Sequence, residues 1–410
     1  MAFLCGLSWQ PRPGYAFFEY DKNGYSIELI GSVRLTGAFL HYQQVDAPQQ
    51  PSDDGLAAVV LRLMAAGNLG TRVGYKLNIF ADFNRLPGTA LNDSFATVGS
   101  GRSPYRNRYL SWDYWRDGNV SGELGIDRLF FRFDLQPVAI SIGRMPINYG
   151  VTSFFSPNDF FAPFSATAIN KSYKPGVDSI RINIAASPLS SIEVSAVLGS
   201  NDNGIPAWSK TALLMRVGTV FWDFEWALIG GKVAERWLVG GSLQGEGGPF
   251  GLRAEGHLGF ADNDGRGTLD DQRPEDRLDR RIHGRVAAGA DLQFEWRNSR
   301  IALEVLYLSD GSYGTARYAE RYQRLFPDDV YYLGQVYLAF GVGGEILPVL
   351  RADLVLLFNA IDYSGVASIS LSYNLADEID FVGGSLLPWG GASEFGQLPI
   401  TVFFETRFYY

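Results

Sequence analysis

The chain has almost none of the residues on which many scaffolds and metal sites depend. It contains one cysteine, Cys5, and three histidines among 410 residues. One cysteine cannot form a disulfide framework or supply the paired thiolates of a cysteine-based zinc site. No apolar run approaches the roughly 20 residues that a helical membrane span needs. The sequence therefore argues against a disulfide-stapled domain, a cysteine-zinc module and a helical membrane protein.

Charge is also scarce, and its sign argues against one class of partner. Charged residues make up 19% of the chain, and the formal net charge is −9. Proteins that bind nucleic acid carry a basic face, so nucleic acid is not expected as a partner. Glycine is abundant, with 47 residues, and aromatic residues make up 14% of the chain. Because few stretches favour helix, we expect an all-β protein.

Short segments of alternating apolarity recur from Tyr25 to the end of the chain. In the segment Val177–Ala186, for example, Ile180, Ile182 and Ile184 alternate with polar residues such as Arg181. We count about 18 such segments, with 16 as the alternative, which is the weak but repeated signal of membrane β-strands. The alternation predicts that each strand has one apolar and one polar face.

The connections between these segments alternate between long and short almost throughout. Two links that the rule expects to be long, 231–234 and 362–365, are short. Outer-membrane barrels have short turns at one end and longer loops at the other. A soluble β-sandwich also alternates along its strands, but this many amphipathic strands would leave a large apolar surface uncovered. The pattern predicts a transmembrane antiparallel up-and-down β-barrel.

Charged residues keep to the polar phase of their strands. A mid-plane Arg or Lys facing lipid costs roughly 2–4 kcal/mol, so this placement is expected if the apolar phase faces lipid and the polar phase faces a lumen. The residues on the polar phase include Arg34, Arg62, Lys76, Arg132, Arg181, Arg253, Arg285, Arg351 and Arg407, with Glu28, Asp134, Glu193, Glu225, Glu255, Asp291, Asp353 and Glu405.

The barrel pattern defines the domain organisation. Residues 1–23 show no period and are expected to be an N-terminal extension, and residues 24–410 form one transmembrane β-barrel domain. The stretch Ala2–Leu7 is short and apolar with no basic residue before it, so a secretory leader is not clearly present; either it was cut away or the sequence is mis-started. Lipid attachment at Cys5 is disfavoured because the bulky Leu4 precedes it.

One long segment, Ile142–Pro175, cannot be a strand. Its four prolines break any ladder, yet it carries five phenylalanines, which an ordinary solvated loop does not. Long loops of this kind are usually functional. We expect residues 145–175 to fold into the mouth of the barrel and narrow it.

Three features resemble outer-membrane proteins of Gram-negative bacteria. The chain ends in ITVFFETRFYY, which resembles their C-terminal insertion signal, with Tyr410 in place of the commoner Phe. The strand count and the long loop after the fifth strand resemble porins, whose third outer loop folds inward. The element Gly143-Arg144…Asn148-Tyr149-Gly150 also looks like a feature of barrels that export or admit carbohydrate.

The porin resemblance implies a constriction rather than a catalytic centre. Selectivity in such a channel depends on pore diameter and on the lining charges. No catalytic, cofactor-binding or metal-binding residues are predicted. The predicted constriction residues are Arg144, Asn158, Asp159, Lys171 and Lys174 on the loop and Arg62, Lys76, Arg128, Arg132 and Arg181 on the facing wall.

The expected function is passive diffusion of small hydrophilic solutes or ions across an outer membrane. The expected partners are outer-membrane lipid, those solutes and, through the C-terminal strand, the barrel-assembly machinery, with a homotrimer as the candidate assembly. Two alternatives stay open. One is a conduit around an exported polymer or an electron-transfer partner. The other is a barrel hydrolase, for which His257 with Glu255 and Asp291 is the candidate acid–base set.

Overall fold

The structure is a computed structural model that describes residues 17–43, 52–87, 103–161, 163, 173–201, 204–261, 282–323 and 332–410. Twenty β-strands lie within this part of the chain. They are β1 Phe18–Lys22, β2 Tyr25–His41, β3 Asp53–Leu69, β4 Val73–Arg85, β5 Ser111–Asp117, β6 Val120–Leu135, β7 Val138–Met145, β8 Val177–Ser187, β9 Ser190–Val197, β10 Ala212–Phe221, β11 Phe224–Val233, β12 Arg236–Gly247, β13 Phe250–Ala261, β14 Ile282–Phe294, β15 Ser299–Leu308, β16 Val336–Leu347, β17 Leu350–Asn359, β18 Gly365–Ala376, β19 Ile379–Trp389 and β20 Ile400–Tyr409.

Helical structure in the described residues is confined to short pieces between strands. Among the described residues there are one α-helix, α1, and four single-turn 3₁₀ segments. Their bounds are Tyr318–Gln323 for α1, and Arg108–Leu110, Trp296–Asn298, Thr315–Arg317 and Phe395–Gln397 for the 3₁₀ segments. Of the helices that the structure describes, none has both the length and the apolarity to cross a membrane.

The sheet closes on itself. Neighbouring strands pair antiparallel along the chain, and β20 pairs back onto β2 from Ser32 opposite Tyr409 to His41 opposite Ile400. Strands β1 and β5 each pair with a single neighbour, β2 and β6, and are not counted in the ring, so the closed barrel has 18 strands. The predicted all-β barrel and its strand number are confirmed. Closure matters physically because it leaves the ring without an unpaired edge.

The alternation predicted from sequence sorts side chains between the two faces. On β15, Leu303 is 55% exposed on the outside, whereas the next residue, Glu304, is 3% exposed and points inward. On β8, Ile180 is also exposed on the outside. The apolar phase therefore forms the outer surface, and the charged phase lines the interior.

A two-residue turn at one end of the barrel differs from the sequence expectation. The sequence predicts a strand from Phe221 to Ile229, but Trp222 and Asp223 form the turn between β10 and β11, with φ of 53° and 62°. Two positive φ values in succession match the right-handed twist of the flanking strands. The alternation of aromatic and acidic residues continued through the turn and hid it.

The short strand β1 lies within the segment predicted as an N-terminal extension. It pairs with β2 from Phe18 opposite Leu29 to Lys22 opposite Tyr25. This is the same edge of β2 that β20 uses further along, and the chain end, Tyr410, exchanges backbone hydrogen bonds with Gly31 between them. Strand β1 therefore extends the strand pairing along this edge of β2 beyond the end of β20.

Residues 103–117, here called the wall patch, fill a gap in the barrel wall. Strand β7 pairs with β6 only over 129–135, and β5 takes the same edge of β6 over 120–125. On the other side of the gap, Asp178 N donates to Tyr105 O (3.0 Å) and Ser200 N donates to Pro104 O (2.7 Å). The sequence predicts only a polar link here. The patch closes the wall where the chain leaves β7 and turns inward.

Candidate functional site

The segment between β7 and β8, residues 146–176, is here called the inward loop. The structure describes it over 146–161, at 163 and over 173–176. Its first limb crosses the interior to the inner faces of β12–β16 on the far side of the barrel. Its second limb returns along the inner faces of β3, β4 and β6.

The carboxylate of Glu255 on β13 binds the first limb. It accepts the backbone N–H groups of Val151, of Thr152 (3.2 Å) and of Asn158 (3.1 Å). Glu255 is buried, so these charge-assisted hydrogen bonds form away from bulk water. One wall side chain therefore fixes two separate points of the loop backbone.

A second carboxylate, Glu304 on β15, holds the residues between those points. It accepts the N–H groups of Ser153 (2.8 Å), Phe154 (3.1 Å) and Phe155 (2.6 Å). Three consecutive amides that point at one anion form a compact concave turn. Together the two carboxylates satisfy backbone groups that an irregular segment would otherwise bury unpaired.

The loop phenylalanines pack against apolar side chains of the inner wall. Phe154 and Phe155 lie in a cluster with Leu306, Tyr337 and Leu357. A second cluster, around Phe160 and Phe161, contains Tyr105, Leu214 and Leu238. Phe164 lies outside the described residues. Inward-facing strand residues therefore supply an apolar wall for these rings.

Gly341 on β16 provides the space for one of these rings. A Cβ atom at this position would lie 2.5 Å from Cζ of Phe154. We expect Gly341→Val to displace Phe154 and weaken docking of the first limb by about 1–3 kcal/mol, the range for overpacked cores. Hydrogen exchange at the Phe154 and Phe155 amides should rise about tenfold or more. Gly383→Val, where the nearest atom to an added Cβ is 3.5 Å away, is the control, and equal exchange in both variants would contradict the packing.

Asn158 is buried and belongs to the loop anchor. Its amide nitrogen donates to Gly241 O (3.0 Å), and its Oδ1 accepts from Nδ1 of His257 (3.1 Å). The sequence assigns Asn158 to the pore side of the loop, whereas the structure turns it toward the wall. His257, the candidate base of the hydrolase alternative, therefore contacts a loop amide.

The other members of that hydrolase set are also engaged in binding. The Glu255 carboxylate holds loop amides, and Asp291 accepts from Arg253 and from Arg300 (2.9 Å). Among the described residues these groups form loop anchors and an ion-pair network.

Arg144 is the anchor at the start of the loop. Its guanidinium group donates to both carboxylate oxygens of Asp178 (2.7 and 2.9 Å), to Ile126 O (2.8 Å) and to Asn107 O (2.9 Å). The sequence assigns Arg144 to the pore lining, but the residue is 1% exposed. Because Asn107 lies in the wall patch, Arg144 joins the patch to the root of the loop.

An ion pair connects the two limbs. The Nζ of Lys174, on the returning limb, donates to Oδ1 of Asp159 on the first limb. Burial lowers the pKa of Lys174, and the neighbouring Asp159 carboxylate partly offsets this effect. Asp159 is itself buried. The predicted loop residues Asp159 and Lys174 thus contact each other, and Lys171 lies outside the described residues.

The returning limb is held by two of the predicted facing-wall arginines, Arg62 and Arg128. The guanidinium carbons of Arg62 and Arg128 lie 3.6 and 4.3 Å from the ring centroid of Tyr173. Arg128 also donates to Lys174 O (3.1 Å), and Asn78 donates to the Tyr173 hydroxyl. Stacking of this kind is typical of arginine on aromatic faces.

Of the remaining predicted wall residues, Lys76 lies near enough to Arg128 for their charges to interact. Lys76 and Arg181 are half-buried on β4 and β8, whereas Arg132 is exposed near the short-turn end and pairs with Asp134 (2.8 Å). Whether these three line the narrowest point stays a prediction. The structure adds Glu304, which the sequence analysis did not single out.

Several hydrogen bonds converge on Glu394 at the long-loop end of the barrel, and this group is here called the Glu394 hub. Its carboxylate accepts from Leu333 N (3.1 Å), the Tyr337 hydroxyl (2.6 Å) and the Asn359 amide (2.7 Å). Tyr337 in turn packs against Phe155 of the inward loop. Glu394 therefore joins three connections at the long-loop end to the cluster that holds the loop.

This hub predicts a pH dependence. Burial raises the pKa of Glu394 to about 7, so the protonated acid fits the folded hub best. The contribution of the protonated Glu394 to the free energy of unfolding is present in full at a pH below the ordinary pKa of glutamate. It is lost as the pH rises towards about 7, by on the order of 3 kcal/mol. Hydrogen exchange at Leu333, corrected for its intrinsic pH dependence, should show protection falling 10- to 100-fold from pH 5 to pH 8. Glu394→Gln should abolish this fall, and an equal fall in the variant would contradict the assignment.

Among comparisons with known proteins, the one with solved structures bears on the architecture. No family model and no curated protein matches the chain. Among solved structures, OccAB4 of Acinetobacter baumannii is 10% identical over 94% of this chain and 98% of its own, with a TM-score of 0.56. OccAB2 of the same organism is 12% identical over 94% and 98%, with a TM-score of 0.53.

A third solved structure extends the likeness to another organism. OccK9 (OpdG) of Pseudomonas aeruginosa is 11% identical over 93% of this chain and 98% of its own, with a TM-score of 0.55. These neighbours are outer-membrane porins. At such low identity the likeness shows the fold alone: this chain is a closed, porin-like β-barrel.

Proposed function

We propose that this protein is an outer-membrane porin whose inward loop narrows a water-filled channel for small hydrophilic solutes or ions. The observation that carries the proposal is the binding of the loop backbone to Glu255 and Glu304 on the inner face of the far wall. A segment held in this way reduces the cross-section through which solute can diffuse, and the size and charge of the remaining passage set selectivity.

The side of the lumen formed by β18–β20 and β2 is the best candidate for the passage. Its inner face carries Ser370 and Ser372, which are half-buried, and the ion pairs of the buried Glu405 with Arg34 and Arg407. The described limbs of the loop make their hydrogen bonds elsewhere, to β9, β12, β13 and β15 among others. Polar groups that face an aqueous lumen bind water and passing solutes without a desolvated site.

The inward loop also distinguishes the porin proposal from its two alternatives, a conduit and a hydrolase. A sheath around a folded electron-transfer partner needs an open interior, and the inward loop crosses it. The contacts of His257 and Asp291 support anchoring rather than hydrolysis. A single extended polymer strand remains the second candidate, since it needs only the passage beside the loop.

The proposal includes a cellular setting. The barrel wall is expected to lie in the outer membrane of a Gram-negative cell, inserted by the assembly machinery through β20. A homotrimer is the candidate assembly. Exposed aromatic residues at the turns, such as Trp222 and Trp296, support this setting because such residues favour membrane interfaces.

Single-channel recording in planar bilayers tests the function. The full chain should give discrete, steady conductance steps, and liposome swelling should fall sharply with increasing sugar size. A barrel that inserts but carries no current, or that admits long oligosaccharides as readily as monosaccharides, would overturn the proposal.

A further inference from the structure

A groove of about 190 Å³ lies in the outer surface of the barrel wall, across β20, β2, β3 and β4. The side chains of Leu35, Val59, Phe83 and Phe404 line it, and all four are exposed. The groove also contains a charged group, the guanidinium of Arg85. An arginine that faces lipid is costly at the middle of a membrane and is tolerated near its surface. The groove therefore combines an apolar depression with a cation whose depth in the membrane matters.

Two small residues, Gly37 and Ala57, form the floor of the groove. They belong to one row of cross-strand partners, in which Phe404 lies opposite Gly37, Gly37 opposite Ala57, and Ala57 opposite Arg85. The ring of Phe404 lies over Gly37, where an added Cβ would clash with it. Ala57 is exposed and projects only a methyl group. The depression exists because these two residues lie between an aromatic ring and a guanidinium group.

The groove lies where the outer surface changes from apolar to polar. Four residues further along β2 from the floor, towards the long-loop end, His41 lies opposite Asp53. Their side chains are 48% and 53% exposed, and Nδ1 of His41 lies 2.7 Å from Oδ1 of Asp53. This pair is here called the polar rim. In the opposite direction the next outward pair is apolar, Leu35 with Val59. The floor therefore lies at chain depth, and the rim lies at headgroup depth.

Arg85 extends towards the polar rim. Its Nη1 donates to Gly55 O, and its Nη2 lies 2.9 Å from Oδ1 of Asp54. Gly55 is two residues nearer the rim than Ala57, the strand partner of Arg85. Long basic side chains near a membrane surface reach towards the headgroups in this way. A guanidinium group has five N–H donors, and the Arg85 side chain is 47% exposed, so a lipid headgroup can reach it.

The order of the charges indicates which headgroup fits. Along the wall from the floor towards the long-loop end, the guanidinium of Arg85 comes first and the carboxylate of Asp53 comes next. A zwitterionic phospholipid carries its groups in the matching order, with the phosphate next to the chains and the ammonium group beyond it. Guanidinium groups suit phosphate oxygens, and a carboxylate attracts an ammonium group. A lipid whose only charge is negative gains the first contact but not the second.

We propose that this groove binds one zwitterionic phospholipid from the membrane leaflet at the long-loop end. One acyl chain lies on the floor between Phe404 and Arg85, the phosphate accepts hydrogen bonds from Arg85, and the ammonium group lies at Asp53. Lipid tails are as apolar as the wall, so the preference comes from chain packing and headgroup contacts rather than from the hydrophobic effect. The site rests on the membrane setting of the barrel and does not depend on conduction.

Native mass spectrometry of the full chain tests the site, with dioleoylphosphatidylethanolamine or dioleoylphosphatidylglycerol added to the detergent at equal concentration. We expect the adduct of one lipid per chain to be about threefold more populated with the ethanolamine lipid. Arg85→Gln should lower this adduct about tenfold, as expected for the loss of a hydrogen bond to a charged group. Ala57→Phe, which fills the floor, should also lower it, by about fivefold or more. Ala288→Phe, at an exposed position of β14, is the control and should leave it unchanged.

Asp53→Asn separates headgroup recognition from chain binding. It should remove the preference between the two lipids while one lipid still binds. Equal adducts of the two lipids in the wild type, or a wild-type adduct in Ala57→Phe, would overturn the site. If Ala57→Phe instead dissociates an oligomer and leaves the lipid adduct unchanged, the groove is a contact with a second copy of the chain. A barrel that conducts normally without this lipid preference refutes the groove and leaves the porin proposal standing.

Discussion

Replacing both Glu255 and Glu304 with glutamine is expected to free the inward loop and raise single-channel conductance at least twofold. The two carboxylates accept six backbone N–H groups of the loop. Hydrogen bonds to a charged group contribute about 1.5–3 kcal/mol each. A glutamine offers one neutral oxygen and presents an N–H₂ group that repels the loop amides. Planar-bilayer recording of the double variant against the wild type measures the change.

The matched control is Asp353→Asn. Asp353 is also an inward-facing strand carboxylate, but it binds Arg351 on the same strand (2.9 Å). It should change ion selectivity slightly and leave the size of the conductance step near the wild-type value. If the double variant keeps the wild-type step and the wild-type solute cut-off, the loop does not form the constriction.

Arg144→Met is expected to give the largest loss of stability of any single substitution in this region, about 3–5 kcal/mol, the range for breaking a buried ion pair on one side. It leaves Asp178 charged without its bidentate partner and removes the donors that satisfy Ile126 O and Asn107 O. The temperature at which the detergent-solubilised barrel unfolds should fall by several degrees. Amide exchange should rise first in the wall patch and at the root of the loop.

Arg132→Met provides the comparison for this substitution. Arg132 forms an ion pair with Asp134 at a similar distance, 2.8 Å, but both residues are exposed. Exposed pairs contribute only about 0–1 kcal/mol. A similar drop in unfolding temperature for the two variants would show that Arg144 is not the buried anchor described here.

Much of the barrel could be predicted because membrane strands obey a simple physical rule. Every outward position must be apolar and every strong charge must point inward, as the neighbours Leu303 and Glu304 show. Strands β1 and β5 escaped this rule. They are short and largely exposed, and β1 pairs with β2 alone whereas β5 pairs with β6 alone, so neither needs the alternation that reveals a strand of the ring.

The site was harder to predict, because alternation shows which way a side chain points but not what covers it. Arg144 and Asn158 have the polarity of pore residues, yet loop and wall contacts bury them. One signal was available. In β10, Leu213 and Met215 are exposed on the outside at 44% and 47%, while Leu214 between them is 1% exposed on the inside. A strand that is apolar on both faces indicates that something dry packs inside the barrel.

The wall patch limits the conformations that the inward loop can adopt. In a plain hairpin, the chain after Met145 would continue β7 upwards along the free edge of β6. That edge is already taken, because β5 pairs with β6 from Ser111 opposite Gly125 to Asp117 opposite Val120. For the loop to enter the wall, the hydrogen bonds between β5 and β6 would have to break. Any opening of this channel is therefore expected to proceed by loosening of the inward loop within the lumen, with the strand pairing of the barrel wall left intact.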